Sequence, residues 1–362
     1  MSETRRPDRA VMATGEGERV GDWQTEAATS RSAPPDGEAA TPDALGVALD
    51  RVLQVTTDLA RAMATVIEGK DDVIRTALVA LLAEGHLLVE DVPGVGKTML
   101  AKTLARSVDA TVRRVQFTPD LLPSDITGVS VWNQDLRSFE FRPGAIFANV
   151  VVGDEINRAS PKTQSALLES MEEAQVTVDG TTYALPRPFM VMATQNPIEM
   201  EGTYPLPEAQ RDRFMARISM GYPNARAELA LLDSHGAGDP LADLKPVVDA
   251  AGVEAMVHAV RRVHASPAVR QYIVDLAAAT RSTSALRLGI SPRATLHLLR
   301  AGRAHAALRG RDHVLPDDIK AIAIPVLAHR VILSGESQLS RRSAADVLSD
   351  LLDRTRVPAQ PR

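Results

Sequence analysis

One short segment, residues 87–98, constrains the fold of this chain more than any other part of its sequence. It begins with an apolar run typical of a buried strand, and the residues after it have the apolar spacing of a helix. The Gly-rich loop between them ends in Lys97 and Thr98. The backbone N–H groups of such a loop, together with the start of the following helix, favour phosphate. The segment therefore predicts a nucleoside triphosphate site, in which Lys97 contacts the β/γ oxygens and the Thr98 hydroxyl contacts Mg²⁺.

The loop departs from the general phosphate-binding motif at one position, because Asp91 stands where the motif has Gly. A second segment supports the interpretation. Residues 150–155 form an apolar strand that ends in Asp154 and Glu155, and such a pair can hold Mg²⁺ and polarise an attacking water. Two acids at a strand end are also compatible with a solvated loop. Their position after the Gly-rich loop, at a spacing that fits a strand–helix–strand unit, favours phosphoryl transfer.

Polar residues further along the chain extend this candidate site. Asn196 follows the apolar strand 189–193 and could bind the γ-phosphate or the attacking water, although Asn-Pro also initiates turns. Arg211, Arg213 and Arg217 form a basic cluster that could supply an arginine finger or a solvated surface.

Arg293 is predicted to lie in the first turn of a helix that Ser291 caps and Pro292 begins. A cation in this position is unfavourable with the helix dipole, so it needs an anionic partner. A phosphate would serve, and an ordinary Asp or Glu would serve equally well.

The order of predicted elements indicates an α/β fold with a parallel sheet. Two hairpins interrupt the alternation of strands and helices. In the first, at about 128–142, the period-two pattern places Val129, Val131, Phe139 and Phe141 on shared faces; the second, at about 176–185, contains the two-residue turn Asp179-Gly180. We predict three regions, namely a disordered tail at 1–41, an α/β nucleotide-binding core at 42–222 and an all-helical domain at 223–357.

Composition narrows the classes of function. The 362 residues suit two or three domains, and a net charge of −5 disfavours nucleic acid or an anionic membrane as a partner. The absence of cysteine excludes disulfides and cysteine-based sites, and it fits a reducing cytoplasm. No apolar run approaches the roughly 20 residues that span a bilayer, and no apolar core follows the basic N-terminus, so we expect neither membrane insertion nor a signal peptide.

Residues 152–173 resemble the Walker B strand and following helix of the MoxR family of AAA+ ATPases nearly residue for residue, and the similarity runs from about 45 to 357. The resemblance implies a P-loop AAA+ core, with helices on both faces of its sheet, and a helical lid. It makes the first hairpin the helix-2 insert and the second the pre-sensor-1 hairpin. In this family Asp91 is an ordinary variation, whereas Gly153 replaces a usual Ala and Ala145 a usual Pro.

The resemblance also implies a role for each site residue. Glu155 activates water, Asn196 is sensor 1, and Arg293 is sensor 2. Arg213 best matches the arginine finger, with Arg211 as the alternative. Thr98 and Asp154 would hold Mg²⁺. The residues implied to contact ATP are Ile67, Gly69, Pro93, Gly94, Val95, Gly96, Lys97, Thr98 and Met99.

At the level of function, the resemblance implies an ATP-hydrolysing homo-hexamer, because the finger would act on the neighbour's nucleotide. It further implies chaperone-like remodelling of client proteins, with a von Willebrand factor A domain protein as a partner. Two alternatives stay open, a motor subunit of a metal-chelatase-type complex and a low-turnover binding scaffold. The intact Lys97, Asp154, Glu155 and Asn196 argue against the scaffold.

Overall fold

The computed structural model describes residues 42–91, 94–196, 202–222, 228 and 240–357. The predicted tail, residues 1–41, lies outside the described residues, and so does Pro93. Within the described part, no helix has the length and apolar character needed to cross a bilayer.

Five parallel strands form the central sheet, in the order β2-β5-β8-β1-β9. The other four strands of this region form the two hairpins, β3–β4 and β6–β7. The strands are β1 Leu87–Glu90, β2 Val112–Gln116, β3 Gly128–Asn133, β4 Ser138–Pro143, β5 Val150–Asp154, β6 Gln175–Val178, β7 Thr181–Ala184, β8 Met190–Gln195 and β9 Ala216–Ile218.

Helices cover both faces of the sheet, as predicted. Successive strand residues point to opposite faces, so Leu87 and Val89 join a core with α1 to α3, whereas Leu88 joins a second core with α4 and α5. Both cores are needed because a parallel sheet buries both of its faces. The helices are α1 Pro42–Ala64, α2 Asp71–Leu82, α3 Lys97–Ser107, α4 Pro123–Thr127, α5 Pro161–Glu173 and α6 Glu208–Arg211.

The register of the first hairpin corrects one detail of the sequence prediction. Trp132 pairs with Phe139, and Ser130 with Phe141, so both phenylalanines lie on the face opposite Val129. An even or odd number of residues in the connection decides this phase, and the alternation within each strand does not reveal it.

The two hairpins meet through aromatic rings, since Phe141 stacks on Tyr183 with centroids 3.9 Å apart. The turn of the second hairpin is confirmed. Asp179 and Gly180 both have positive φ, 50° and 81°, as the tight two-residue turn requires.

The C-terminal region is helical, with one addition to the prediction of an all-helical domain. Two short strands, β10 Leu286–Leu288 and β11 Ile332–Leu333, pair antiparallel. Segments of three and two residues are too short to give a strand signal in the sequence. The helices are α7 Pro240–Asp243, α8 Ala250–Arg261, α9 Pro267–Ser282, α10 Pro292–Ala307, α11 Pro316–Leu327, α12 Gly335–Leu339 and α13 Ala344–Arg354.

A buried arginine joins this helical region to the segment between α6 and β9. The Arg330 side chain is 1% exposed, and its Nη1 lies 2.9 Å from Asp212 Oδ1. Ser291, the confirmed cap of α10, donates its hydroxyl to the same carboxylate at 2.8 Å. Because burial makes an unpaired guanidinium costly, Asp212 fixes the position of the helices relative to the residues before β9.

Candidate functional site

The predicted phosphate-binding loop lies at the carboxyl edge of the sheet, between β1 and α3. Gly96 caps α3 with φ of 91°, a conformation that favours glycine, and the helix begins at Lys97. Lys97 Nζ donates to the Asp91 backbone carbonyl at 2.8 Å. The ammonium group therefore lies across the loop that is expected to hold phosphate.

The two halves of the predicted Mg²⁺ site lie side by side. Thr98 Oγ1 is 3.3 Å from Asp154 Oδ2 and 3.4 Å from Oδ1, and Asp154 is buried at the end of β5. A hydroxyl and a carboxylate oxygen are the hard donors that Mg²⁺ takes together with substrate phosphates and water. The residues present therefore fit the ion.

Glu155 has a backbone conformation that turns the chain sharply after β5. Its φ and ψ are 58° and 51°, a left-handed conformation that is uncommon for a residue other than glycine. The Glu155 N–H donates to Thr194 Oγ1 at 3.0 Å. Strand β8, which carries Thr194, thus fixes the backbone of Glu155, whose carboxylate is predicted to activate water.

Two residues of β2, Arg114 and Gln116, also contact these acids, and the sequence analysis did not identify them. Arg114 Nε lies 2.6 Å from Asp154 Oδ2, and Gln116 Nε2 donates to Glu155 Oε2 at 3.1 Å. In the sequence, Arg114 and Gln116 are polar residues at alternate positions, which is compatible with one face of a strand. This pattern does not identify the partners of the two side chains, which follow from the pairing of β2 with β5.

The structure gives a reason for Asp91 in a loop where the general motif has Gly. Its carboxylate accepts the Ser219 hydroxyl at 3.0 Å and the Gly221 N–H at 2.6 Å. Glycine could make neither hydrogen bond. Asp91 therefore fastens the start of the phosphate-binding loop to the segment after β9.

The two other departures from the family also have local explanations. A Cβ on Gly153 would lie 2.8 Å from the Phe117 ring, so the glycine lets this buried ring pack against β5. The Ala145 N–H donates to the Asp125 carbonyl at 3.3 Å, a hydrogen bond that proline cannot make.

The predicted adenine segment lies beside the same loop region. Ile67 is buried, and Gly69 has φ of 68°. The neighbouring Lys70 donates to the Tyr222 carbonyl at 2.9 Å, which ties this segment to the residues after β9. Met99 is 39% exposed.

Asn196, which immediately follows β8, is buried. Strand β8 lies between β5 and β1, so Asn196 leaves the sheet between the acidic pair and the phosphate-binding loop.

Arg213 and Arg293 lie at the opposite, amino edge of the sheet. The Met215 N–H donates to the His86 carbonyl at 2.8 Å, which places the residues before β9 beside the start of β1. The phosphate-binding loop leaves the other end of β1. Asp91 lies five residue steps after His86, which is about 16 Å of extended chain. Neither arginine is therefore near the loop of its own subunit.

One carboxylate brings these two arginines together. Glu172, near the end of α5, lies 3.3 Å from Arg213 Nε through Oε2 and forms an ion pair with Arg293 through Oε1. All three line a cavity of about 470 Å³ between the core and the helical region, and Arg211 does not line it. The sequence left two anions open as the partner of Arg293, a phosphate or a carboxylate. Within this subunit the partner is the carboxylate of Glu172.

Two histidines in the wall of the same cavity are held neutral. Burial lowers the pKa of His86 to about 4, and burial together with the charge of Arg330 lowers the pKa of His297 to about 2. His86 Nδ1 accepts the Val191 N–H at 3.0 Å, so the ring proton resides on Nε2, which is 3.0 Å from the Met171 carbonyl.

Comparisons with known proteins agree with this architecture. Residues 86–216 match the ATPase family associated with various cellular activities (AAA), and residues 278–351 match the AAA lid domain. The chain is 49% identical over 295 residues to the uncharacterized protein YeaC of Bacillus subtilis, covering 82% of this chain and 92% of YeaC. It is 40% identical over 302 residues to the chaperone MoxR1 of Mycobacterium tuberculosis, covering 81% of this chain and 80% of MoxR1.

A solved structure extends the agreement to the arrangement of the elements. The crystal structure of a proposed ATPase from Cytophaga hutchinsonii superposes with a TM-score of 0.82 at 36% identity, over 88% of this chain and 99% of that one. The sheet order, the matched AAA and lid regions and these relatives lead to one conclusion: the chain belongs to the MoxR family of AAA+ ATPases.

Proposed function

We propose that this chain binds ATP with Mg²⁺ at the carboxyl edge of its sheet and hydrolyses it to ADP and phosphate. The observation that carries the proposal is the contact between Thr98 and Asp154, at 3.3 and 3.4 Å. It joins the phosphate-binding loop to the acidic strand end, which are 56 residues apart in the sequence. Two motifs that meet only through folding are weak evidence separately and strong evidence together.

The residues divide the reaction between positioning and charge neutralisation. The loop N–H groups and Lys97 bind the phosphates, while Thr98 and Asp154 hold the metal. Bound Mg²⁺ would neutralise charge that develops on the phosphate oxygens. Glu155 accepts a proton from the attacking water, and Asn196 orients that water or the γ-phosphate.

The arginines act on a neighbouring subunit in this proposal. Arg213 and Arg293 lie at the amino edge, about 16 Å of strand from the loop of their own subunit. A charge at that edge can assist hydrolysis only in an assembly where one subunit presents it to the next. We therefore infer a ring, a homo-hexamer by resemblance to the family, in which Arg213 is the finger and Arg293 accompanies it.

We further propose that hydrolysis drives remodelling of client proteins. The support is the identity with a relative named as a chaperone, together with the family resemblance, which also suggests a von Willebrand factor A domain protein as a partner. A chain without cysteine suits a reducing cytoplasm.

Substitution of Glu155 by glutamine tests the catalytic assignment. Glu155→Gln keeps the shape of the side chain but cannot accept the proton, so ATP turnover should fall about 10²- to 10⁴-fold. Affinity for ATP, measured with a fluorescent analogue, should stay within about twofold because the loop and Lys97 are intact. Turnover is measured as phosphate release.

Glu169→Gln serves as the matched control, because Glu169 is an exposed glutamate on α5. It should leave turnover and affinity unchanged. Equal turnover of Glu155→Gln and the unmodified protein would disprove the assignment.

A further inference from the structure

We propose that Glu172 holds Arg213 and Arg293 together in the free subunit, and that the terminal phosphate of ATP on a neighbouring copy of this chain displaces it. This inference rests on the proposed function, because it requires the two arginines to meet the neighbour's nucleotide. Glu172 is a positioning residue in this scheme, since it acts through the arginines.

The geometry shows one carboxylate shared by two guanidinium groups. Arg213 approaches Oε2 from the segment before β9, and Arg293 approaches Oε1 from the first turn of α10. In the described ranges, Glu172 is the only carboxylate within ion-pair distance of either arginine. The three residues come from α5, the α6–β9 segment and α10, so the pairing is a product of tertiary packing.

A terminal phosphate offers these arginines what the carboxylate offers, with more charge. Both groups present oxygens that pair with guanidinium groups. Toward Glu172, Arg293 donates a hydrogen bond, whereas Arg213 Nε forms an ion pair at 3.3 Å without one. Arg293 needs an anion because it lies at a helix N-terminus. The Glu172 side chain is 40% exposed, so water screens its ion pairs and it can move away from the arginines without leaving a buried charge.

The cavity around the three residues favours an incoming anion. Its walls carry five arginines and three glutamates, an excess of two positive charges from these side chains. Glu84 neutralises much of the far wall through Arg187, Arg261 and Arg300. At the opposite wall, the charges of Arg213 and Arg293 are neutralised by Glu172.

Self-association with a non-hydrolysable ATP analogue and Mg²⁺, measured by sedimentation velocity, tests the exchange. In Glu172→Gln the arginines are no longer neutralised, so half-maximal assembly should need roughly three- to tenfold less protein than in the unmodified chain. Glu172→Ala should shift the midpoint in the same direction, which guards against an effect peculiar to the amide. Without nucleotide, neither variant should differ from the unmodified protein.

Glu173→Gln is the matched control, since this neighbouring glutamate is exposed and makes no ion pair in the described part of the chain. It should assemble like the unmodified protein. Unchanged or weaker assembly of both Glu172 variants overturns the exchange.

The ATP turnover of Arg213→Ala distinguishes failure of the Glu172 exchange from failure of inter-subunit catalysis. If the Glu172 variants assemble normally but Arg213→Ala loses turnover, inter-subunit catalysis stands and only the role of Glu172 fails. If Arg213→Ala and Arg293→Ala both retain full turnover, the inter-subunit proposal fails together with the exchange.

Discussion

The two edges of the central sheet contrast in how their functional groups are assembled. At the carboxyl edge, the parallel strands β5 and β1, with β8 between them, bring Asp154 and Glu155 beside the loop and helix start that carry Thr98. At the amino edge, Arg213 and Arg293 come from the core and the helical region and meet through the side chain of Glu172. One edge is built by strand pairing and the other by ion pairs between distant elements.

This contrast shows that a set of nucleotide-site residues need not form one site in one subunit. All strands of a parallel sheet point the same way, so residues after strands gather at one edge and residues before them at the other. Asp154 follows the first rule and Arg213 the second. A single copy therefore holds the two halves of the proposed site at opposite edges of its sheet.

The strongest test of this division mixes two inactive variants. Lys97→Ala should lose ATP binding and Arg213→Ala should lose about 10³-fold or more in turnover. Mixed in equal amounts, they should recover a substantial fraction of phosphate release, because some junctions combine an intact loop with an intact arginine.

The control mixture is Lys97→Ala with Glu155→Gln. Both defects lie at the carboxyl edge, so no junction is complete and no recovery should occur. Failure of the first mixture to recover would place the loop and the arginine in the same subunit and would remove the distinction between the edges.

A second test asks whether stability at the amino edge can be changed without changing nucleotide binding at the carboxyl edge. Asp212→Ala leaves the buried Arg330 without its carboxylate, which should cost about 3 kcal/mol of unfolding free energy in urea. Asp212→Asn keeps an acceptor and should cost less. Affinity for ATP should be unchanged in both variants, and a large loss of affinity would show that the two edges are coupled.

The pH dependence of stability probes the same edge through His86. Its pKa is lowered to about 4 by burial, whereas in the unfolded chain it is close to 6.5. As the pH falls, the unfolded state therefore binds the proton first. The contribution of His86 to the free energy of unfolding is fully present above about pH 6.5, and it is lost by up to ~1.4 kcal/mol per pH unit as the pH falls from 6.5 to 4.

His86→Gln should reduce this slope between pH 6.5 and 5, as measured by urea unfolding. Some slope remains, because burial also lowers the pKa of His297 and His329. An identical slope in the variant and the unmodified protein would contradict the assignment of the neutral ring.

The smallest expected effect concerns Arg114 at the carboxyl edge. Its ion pair with Asp154 is half-exposed on the arginine side, so it is worth at most about 1 kcal/mol. Arg114→Gln should lower the Mg²⁺ concentration for half-maximal nucleotide binding by up to about fivefold, because the carboxylate loses a competing cation. Arg113→Gln, at the exposed adjacent position on β2, should have no effect.

The amino-acid sequence by itself determined the parts in which chemistry requires residues at short, fixed spacing. A phosphate loop needs glycine, lysine and threonine next to one another between a strand and a helix, so residues 94–98 could be predicted as such a loop from spacing alone. The Asp179-Gly180 turn was predictable for the same local reason, since tight hairpin turns demand positive φ at both positions.

Only the tertiary structure decided which distant residues share a site. The contacts of Arg114 and Gln116 depend on β2 lying beside β5, and the role of Asp91 depends on the path of the chain after β9. The convergence of Arg213, Glu172 and Arg293 at the far edge depends on packing between the core and the helices. These facts follow from strand order and packing, which join segments far apart in the sequence and therefore leave no pattern of spacing to read.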